Sequence, residues 1–335
     1  MLRFFEDFPI GLAEIYGPVV VTKEDIVGFA REYDAQPFHV DEDAARESFV
    51  GRLIASGWHS CALNMRLVAE GFLLDATSMG SPGVEEVKWL RPVLPGDALR
   101  TRMIVKGART SSSRPERGLV DFLFEMINQR DEVVLSQSNW IMFGRRGHPW
   151  PPAAGRGPRP SDAPAPPAEP APARPPAFFD ELRVGDATEL GSHRFMADEI
   201  IRFARAYDPQ PFHVDPEAAR QSAFGGLCAS GWHTAAAWMQ RWVAHRAAME
   251  AEAARRGQLP ARLGPSPGFR NLRWSKPVYA GDTIAYRSAI TELRPSASRP
   301  GWGIAFQRNS GTNQHGEEVF SFEGAVFWER RPRGE

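Results

Sequence analysis

Apolar side chains along this chain follow helical spacing and then strand spacing, and they do so twice. From Thr22 or Lys23 onward, Ile26, Val27, Phe29 and Ala30 recur at the intervals of a helix with one buried face. A counterpart begins at Asp198. Helical spacing fails at Asp34–Pro37, because a proline pushes the residue before it, here Gln36, out of the helical region. Asp41 is placed to cap a short helix over DEDAARE, and Asp215 precedes Pro216, a favoured first-turn proline. An apolar helix then opens near Ser56–Gly57 and carries Trp58, Cys61, Ala62, Met65, Leu67 and Val68 inward. Strand signals follow: VEEVKWLRPV, ALRTRMIVKGAR, LVDFLFEMIN and EVVLSQSNWIMFG in the first pass, then FRNLRWSKPV, TIAYRSAITELR, WGIAFQRNS and VFSFEGAVFWE in the second. Helices followed by a run of strands predict an α+β fold, with an antiparallel sheet wrapped around one long apolar helix.

The two passes are copies of one unit. Residues 29–59 match residues 203–233 at a constant offset of 174, with 22 identities in 31 positions. Upstream, FFEDFPIG at 4–11 lies on FFDELRVG at 178–185. Downstream, SPGVEEVKWLRPVLPGD at 81–97 matches SPGFRNLRWSKPVYAGD at 266–282 at an offset of 185, so the second copy carries 11 extra residues between 233 and 266. Between the copies, residues 151–176 hold 11 Pro and 7 Ala. That composition cannot bury a core, and an extended linker is expected. At ~3.1 Å per residue it could span up to about 80 Å. The expected domains are therefore 1–145 and 178–330, joined by a linker at 146–177.

Composition narrows the partners. The chain has 335 residues, 42% hydrophobic and 24% charged, with a formal net charge of −1. A near-neutral balance speaks against nucleic acid as the main partner, since phosphate binding needs a basic excess. Two cysteines, Cys61 and Cys228, are too few for a disulfide framework or a cysteine metal site. The N-terminal stretch meets Glu6 and Asp7 and lacks the apolar run of a signal peptide. No run of about 18 uncharged apolar residues is present, so no membrane span is predicted. A cytoplasmic protein is expected.

The repeated polar cluster carries the candidate chemistry. It reads Asp34-Ala-Gln36-Pro37-Phe38-His39 in the first copy and Asp208-Pro-Gln210-Pro211-Phe212-His213 in the second. The prolines make it an irregular loop, where an Asp and a His five apart can face one small volume. A carboxylate and an imidazole sharing a water supply a base and an acid near neutral pH. A single Asp-x4-His would read as a turn residue beside a surface imidazole. Its retention in both copies, while Glu32/Ala206, Glu47/Gln221 and Phe49/Ala223 diverge, favours chemistry. Gly57 and Gly231 open the long helix, whose first amides are unpaired and lie at the positive end of the dipole. They are candidate oxyanion donors, with tight packing under the sheet as the alternative. His59 and His233 also recur, but His39, Asp41 and His59 do not form a convincing metal triad, because Asp41 is better used as a cap. His59 is expected to cap or pack.

At these residues the sequence resembles the MaoC-like hydratase/dehydratase family, known for (R)-specific enoyl-CoA hydratases. The family carries an Asp-x-Asn-Pro-x-His signature in a hot-dog fold, with a glycine at the start of the central helix. Asp34 and His39, and again Asp208 and His213, fall on the catalytic pair; Gly57 and Gly231 fall on the oxyanion glycine. Gln36 and Gln210 replace the signature's Asn, and with Ser56 and Ser230 they are expected to support the pair. The resemblance covers roughly 4–143 and 178–329. It implies two hot-dog domains packed as an internal pseudo-dimer. It also implies a lyase that hydrates 2-enoyl thioesters of CoA or an acyl carrier to (R)-3-hydroxyacyl thioesters, or the reverse, without cofactor or metal. A mesaconyl- or methylmalyl-type CoA hydratase-dehydratase is a specific version of that reading. A hot-dog acyl-CoA thioesterase and a non-catalytic acyl-thioester-binding subunit are the alternatives. Homo-oligomers of such double chains are possible. The arginines near the second copy's insertion (Arg241, Arg246, Arg255 and Arg256) lengthen a basic helix that either shapes a pocket, meets CoA phosphates or is a solvated face.

Overall fold

The computed structural model describes residues 1–159 and 178–332; the C-terminal part of the expected linker, 160–177, lies outside the described residues. The first half contains β1 (Ala13–Val20), α1 (Lys23–Tyr33), α2 (Pro37–Val40), α3 (Glu42–Glu47), α4 (Gly57–Gly71), β2 (Gly83–Trp89), β3 (Ala98–Thr110), β4 (Arg117–Ile127) and β5 (Val133–Gly144). The second half repeats the order with β6 (Ala187–Arg194), α5 (Ala197–Tyr207), α6 (Pro211–Val214), α7 (Pro216–Gln221), α8 (Gly231–Arg255), β7 (Gly268–Trp274), β8 (Thr283–Pro295), β9 (Trp302–Thr312) and β10 (Glu318–Glu329).

Local chemistry explains the helix starts. Thr22 caps α1 by accepting from the Asp25 amide at 3.0 Å, while the Asp25 carboxylate accepts from the Thr22 amide. The second copy has Met196 at this position, without a side-chain cap, and α5 starts one residue ahead of the expected Asp198. Asp41 caps α3 through the amides of Asp43 and Ala44, and Asp215 caps α7 through those of Glu217 and Ala218. The motif expected to be an irregular loop contains one helical turn. Pro37 and Pro211 sit in the first turn of α2 and α6, where a missing N–H costs nothing, and Gln36 and Gln210 before them are extended.

Each half has five strands, one more than the alternation in the sequence predicted. The missed strands, β1 and β6, precede the first helix of each half and lie at the two ends of the sheet. β1 leaves apolar Ile15 and Val20 exposed and β6 offers a single large apolar residue, Leu190, so no one-sided apolar pattern marks them. Gly17, at φ +105°, interrupts the pairing of β1 with β3 between Tyr16 and Val19. A Cβ there would lie 2.9 Å from the Leu99 carbonyl oxygen, so only glycine fits.

The ten strands form one antiparallel sheet in the order β1-β3-β4-β5-β2-β7-β10-β9-β8-β6. β2 and β7 join the halves, and their register is self-complementary. Gly83 faces Arg273 and Lys88 faces Gly268. At the 185-residue offset these two pairs are images of one another. The central helices α4 and α8 pack against the sheet, and their apolar sides merge into one core running across the seam through Trp58, Val87, Trp232, Phe269 and Leu272. This is a double hot-dog, packed as an internal pseudo-dimer. Away from the sheet, α1 and α5 lock together through Arg202, which forks onto the Glu32 carboxylate at 2.6 and 2.8 Å.

α8 extends ten residues beyond the length of α4. Its arginines are engaged locally: Arg246 bonds Glu250 at 2.7 Å, and Arg255 and Arg256 both pair with Glu252. That pairing leaves the extension without a free basic face for CoA phosphates. Among the described residues no helix is long and apolar enough to cross a membrane.

Candidate active site

Both copies assemble the same constellation from the same local elements. The helical turn after Asp34 swings His39 back toward it, and the Gln36 amide folds onto the Asp34 carbonyl at 2.7 Å. Asp34 Oδ2 accepts from Ser56 Oγ at 2.6 Å and Oδ1 accepts from Gln36 Nε2 at 2.9 Å. His39 Nε2 lies 3.5 Å from Asp34 Oδ2. In the second copy Asp208 accepts from Ser230 Oγ at 2.6 Å and from Gln210 Nε2 at 3.0 Å, and His213 Nε2 again lies 3.5 Å away. All four members of the two pairs are buried.

The imidazole tautomer follows from its other nitrogen. His39 Nδ1 is 2.8 Å from the Ile54 carbonyl oxygen, and His213 Nδ1 is 2.7 Å from that of Cys228. A carbonyl only accepts, so Nδ1 carries the proton, and in the neutral ring Nε2 presents a lone pair. Nε2 and the carboxylate are then two acceptors at a spacing too long for a good direct hydrogen bond, suited to hold one water that donates to both. Ser56 and Ser230 do double duty. Each donates to the carboxylate and also caps the central helix by accepting from the amide of Trp58 or Trp232. The amides of Gly57 and Gly231 donate to no protein acceptor among the described residues. Each glycine is also demanded by packing: a Cβ would lie 2.5 Å from the Trp89 ring at Gly57 and 2.2 Å from the Trp274 ring at Gly231.

The surroundings of the two pairs differ. A cavity of about 350 Å³ is lined by Asp208, Gln210, His213, Ser230 and Gly231 from the second half, and by Asn64, Val68, Val84, Gln137 and Asn139 from the first. Its walls therefore come from both copies. At the matching positions on the other side, Trp238 replaces Asn64, Trp242 replaces Val68, Phe269 replaces Val84 and Phe322 replaces Gln137. These rings crowd Trp58 beside the first pair: Phe269 stacks on it at 4.8 Å, and Phe322 and Trp238 approach edge-on at 5.5 and 6.1 Å. The positions that wall the open space at Asp208 thus carry aromatic rings packed on Trp58 in the other half. Sequence reasoning passed over Asn64, Gln137 and Asn139. The available signal was polar residues at inward positions of β5 and α4, where the other copy carries Trp238, Phe322 and Gly324.

His59 and His233 pack rather than react. Each stacks on a phenylalanine, Phe29 at 4.6 Å and Phe203 at 4.5 Å. Burial pushes the His59 imidazole down to about 3, against the opposing pull of Asp25. One group among the described residues brings metal-ligating atoms together, His193, Glu199 and His233. Burial raises the Glu199 carboxyl, but the hydrogen bond from His193 and the nearby His233 imidazole outweigh it and hold the group far below its usual range. None of the three lines the cavity.

The chain is similar to known proteins to different extents. The chain is 33% identical over 141 residues to YdeM, an uncharacterized protein of Bacillus subtilis strain 168, across 42% of this chain and 98% of YdeM. It is 34% identical over 73 residues to mesaconyl-CoA hydratase of Cereibacter sphaeroides, a match covering 22% of this chain and only 21% of that enzyme. Its whole fold is similar to the crystal structure of a MaoC domain protein from Chloroflexus aurantiacus, with a TM-score of 0.77, 19% identity and 98% of each chain covered. The MaoC-like domain itself matches twice, over residues 14–120 and 170–300. With an acid–imidazole pair and a helix-opening glycine repeated in both halves of a double hot-dog, and a family match across most of its length, this chain belongs to the MaoC-like domain family.

Proposed function

We propose that the chain adds water to 2-enoyl thioesters of CoA or an acyl carrier, giving (R)-3-hydroxyacyl thioesters, or catalyses the reverse dehydration, at Asp208 and His213. One observation carries this reading: the Asp208–His213 pair and the unpaired Gly231 amide open onto one cavity. In hydration, negative charge builds on the thioester oxygen as water attacks Cβ. The Gly231 amide, at the positive end of α8, is placed to donate to that oxygen. Water held between Asp208 and His213 gives one proton to the pair as its oxygen bonds to Cβ. The pair returns a proton to Cα, so the net change is addition of H and OH. Ser230 and Gln210 fix the carboxylate orientation. Asp34 and His39 have the same internal geometry but do not line this cavity, and the corresponding wall positions carry Trp238, Phe269 and Phe322 packed on Trp58, which supports a single working site. The partial likeness to mesaconyl-CoA hydratase agrees with a CoA thioester substrate.

Thioester hydrolysis fits less well. The hot-dog thioesterase reading needs a carboxylate on the central helix, and Asp208 is the only carboxylate among the residues lining the cavity.

The test follows loss of enoyl-thioester absorbance over crotonyl-, branched and dicarboxylic enoyl-CoAs. His213→Ala and Asp208→Asn should each lower kcat/KM by about 100- to 10,000-fold. His39→Ala should leave it nearly unchanged. Release of free thiol without hydration would establish the thioesterase instead, and an equal loss from His39→Ala would restore two working sites.

A further inference from the structure

The inner wall of the cavity carries a chain of buried amides that the proposed reaction does not use. Asn64, Gln137 and Asn139 line the same cavity as Asp208 and His213. They are 0%, 5% and 4% exposed. Thr101 Oγ1 donates to Asn64 Oδ1 at 2.8 Å, Asn64 Nδ2 donates to Gln137 Oε1 at 3.3 Å, and Gln137 Nε2 donates to Asn139 Oδ1 at 3.0 Å. Every amide oxygen in the chain is thereby matched to a donor. The second N–H of Asn64, the second of Gln137 and both of Asn139 donate to no protein acceptor among the described residues.

We propose that these amides form a donor subsite for the acyl group, so that the preferred thioesters carry an acceptor oxygen (a carbonyl, hydroxyl or carboxylate) on the acyl chain beyond the double bond. The inference rests on the reading of the cavity as an acyl-thioester site. An unpaired buried amide donor costs about 1–3 kcal/mol. A plain alkyl tail would leave the surplus donors dry and unmatched, whereas an acceptor oxygen satisfies them. The fold itself does not require amides here. In the other half the positions of Thr101, Asn64, Gln137 and Asn139 are Tyr286, Trp238, Phe322 and Gly324. That half keeps the same strand order with its aromatic set, and Tyr286 sends its hydroxyl to the Thr234 carbonyl at 2.9 Å. The amides therefore distinguish the half that walls the open cavity. The one lysine at the cavity, Lys276, is half-exposed and paired with Glu317 at 2.6 Å, so the subsite offers neutral donors and no buried cation.

The experiment compares three 2-enoyl-CoAs of matched chain length, ending in a methyl ketone, a carboxylate or an alkyl group. Saturated acyl-CoAs with the same tails are titrated in parallel by calorimetry. The oxygen-bearing tails should exceed the alkyl tail in kcat/KM and in affinity by about 10- to 100-fold. Gln137→Leu should bring that ratio close to one. Gln137→Glu, which exchanges donors for a carboxylate, should penalise the carboxylate tail most and so separate charged from neutral acceptors. Should Gln137→Leu fail to fold, Asn139→Ala at the end of the relay takes its place. An alkyl tail that binds and reacts as well as the others, or a ratio untouched by either variant, overturns the subsite. Tail-dependent affinity without turnover would instead sink the hydratase reading and leave the subsite standing.

Discussion

At the scale of single residues, each helix-opening glycine answers two demands. It leaves an amide free at the helix start, and it admits an indole ring against the backbone. The demands can be separated because Gly231 lines the cavity of about 350 Å³ and Gly57 does not. Gly57→Ala and Gly231→Ala both push a Cβ into a tryptophan, at 2.5 and 2.2 Å, and each should destabilise the fold by about 1–3 kcal/mol. Only Gly231→Ala should also slow hydration, as the displaced helix start moves its amide from the thioester oxygen. Denaturant unfolding and enoyl-CoA turnover measured side by side check both halves of this expectation. A rate loss from Gly57→Ala as large as that from Gly231→Ala would count against a single working site.

At the scale of elements, the serine before each central helix couples capping to the carboxylate of the acid–imidazole pair. Ser56 and Ser230 hold the first turn of α4 and α8 and at the same time bond the carboxylate 22 residues upstream. Removing either hydroxyl should cost about 1 kcal/mol of stability through the lost cap. Ser230→Ala should additionally reduce kcat by about tenfold, the worth of one hydrogen bond to a charged group, with little change in KM. Ser230→Thr keeps the hydroxyl and should restore most of the rate. A Ser230→Ala enzyme with unchanged kcat would show that Asp208 needs no such anchor. The same scale explains α8. Its extra turns carry acids spaced three or four residues from its arginines, so the helix neutralises its own charge and presents little to a phosphate.

At the scale of the whole molecule, the seam between the halves buries two histidines that take no stabilising proton. His59 is pushed down to about 3 by burial, and burial likewise lowers His233 despite the pull of Glu199. In the unfolded chain both would protonate near their ordinary value of about 6.5. Between that value and the depressed one, the unfolded state binds more protons, so stability is lost as pH falls. From pH 7 to pH 5 the denaturation midpoint should drop, with His59 removing up to about 1.4 kcal/mol of unfolding free energy per pH unit below 6.5 and His233 acting in the same direction. His59→Phe should flatten that slope. A midpoint constant over this range in the native protein would contradict the burial argument.

Much of this was legible in the chain itself. The duplication, the order of helices and strands, the Asp-x4-His turns, the caps at Asp41 and Asp215 and the glycines opening the long helices are all set by residues within a few positions of one another. Local sterics and hydrogen bonding suffice to express them. The edge strands β1 and β6 stayed hidden because a strand at a sheet margin buries too little to leave a pattern. Which pair faces an open cavity was hidden for a different reason. Each pair is walled by the opposite copy, so Asn64 and Gln137 matter to Asp208, and Trp238 and Phe322 to Asp34, only after β2 has met β7. Long-range packing, and not any local signal, allots room to one site and aromatic rings to the other.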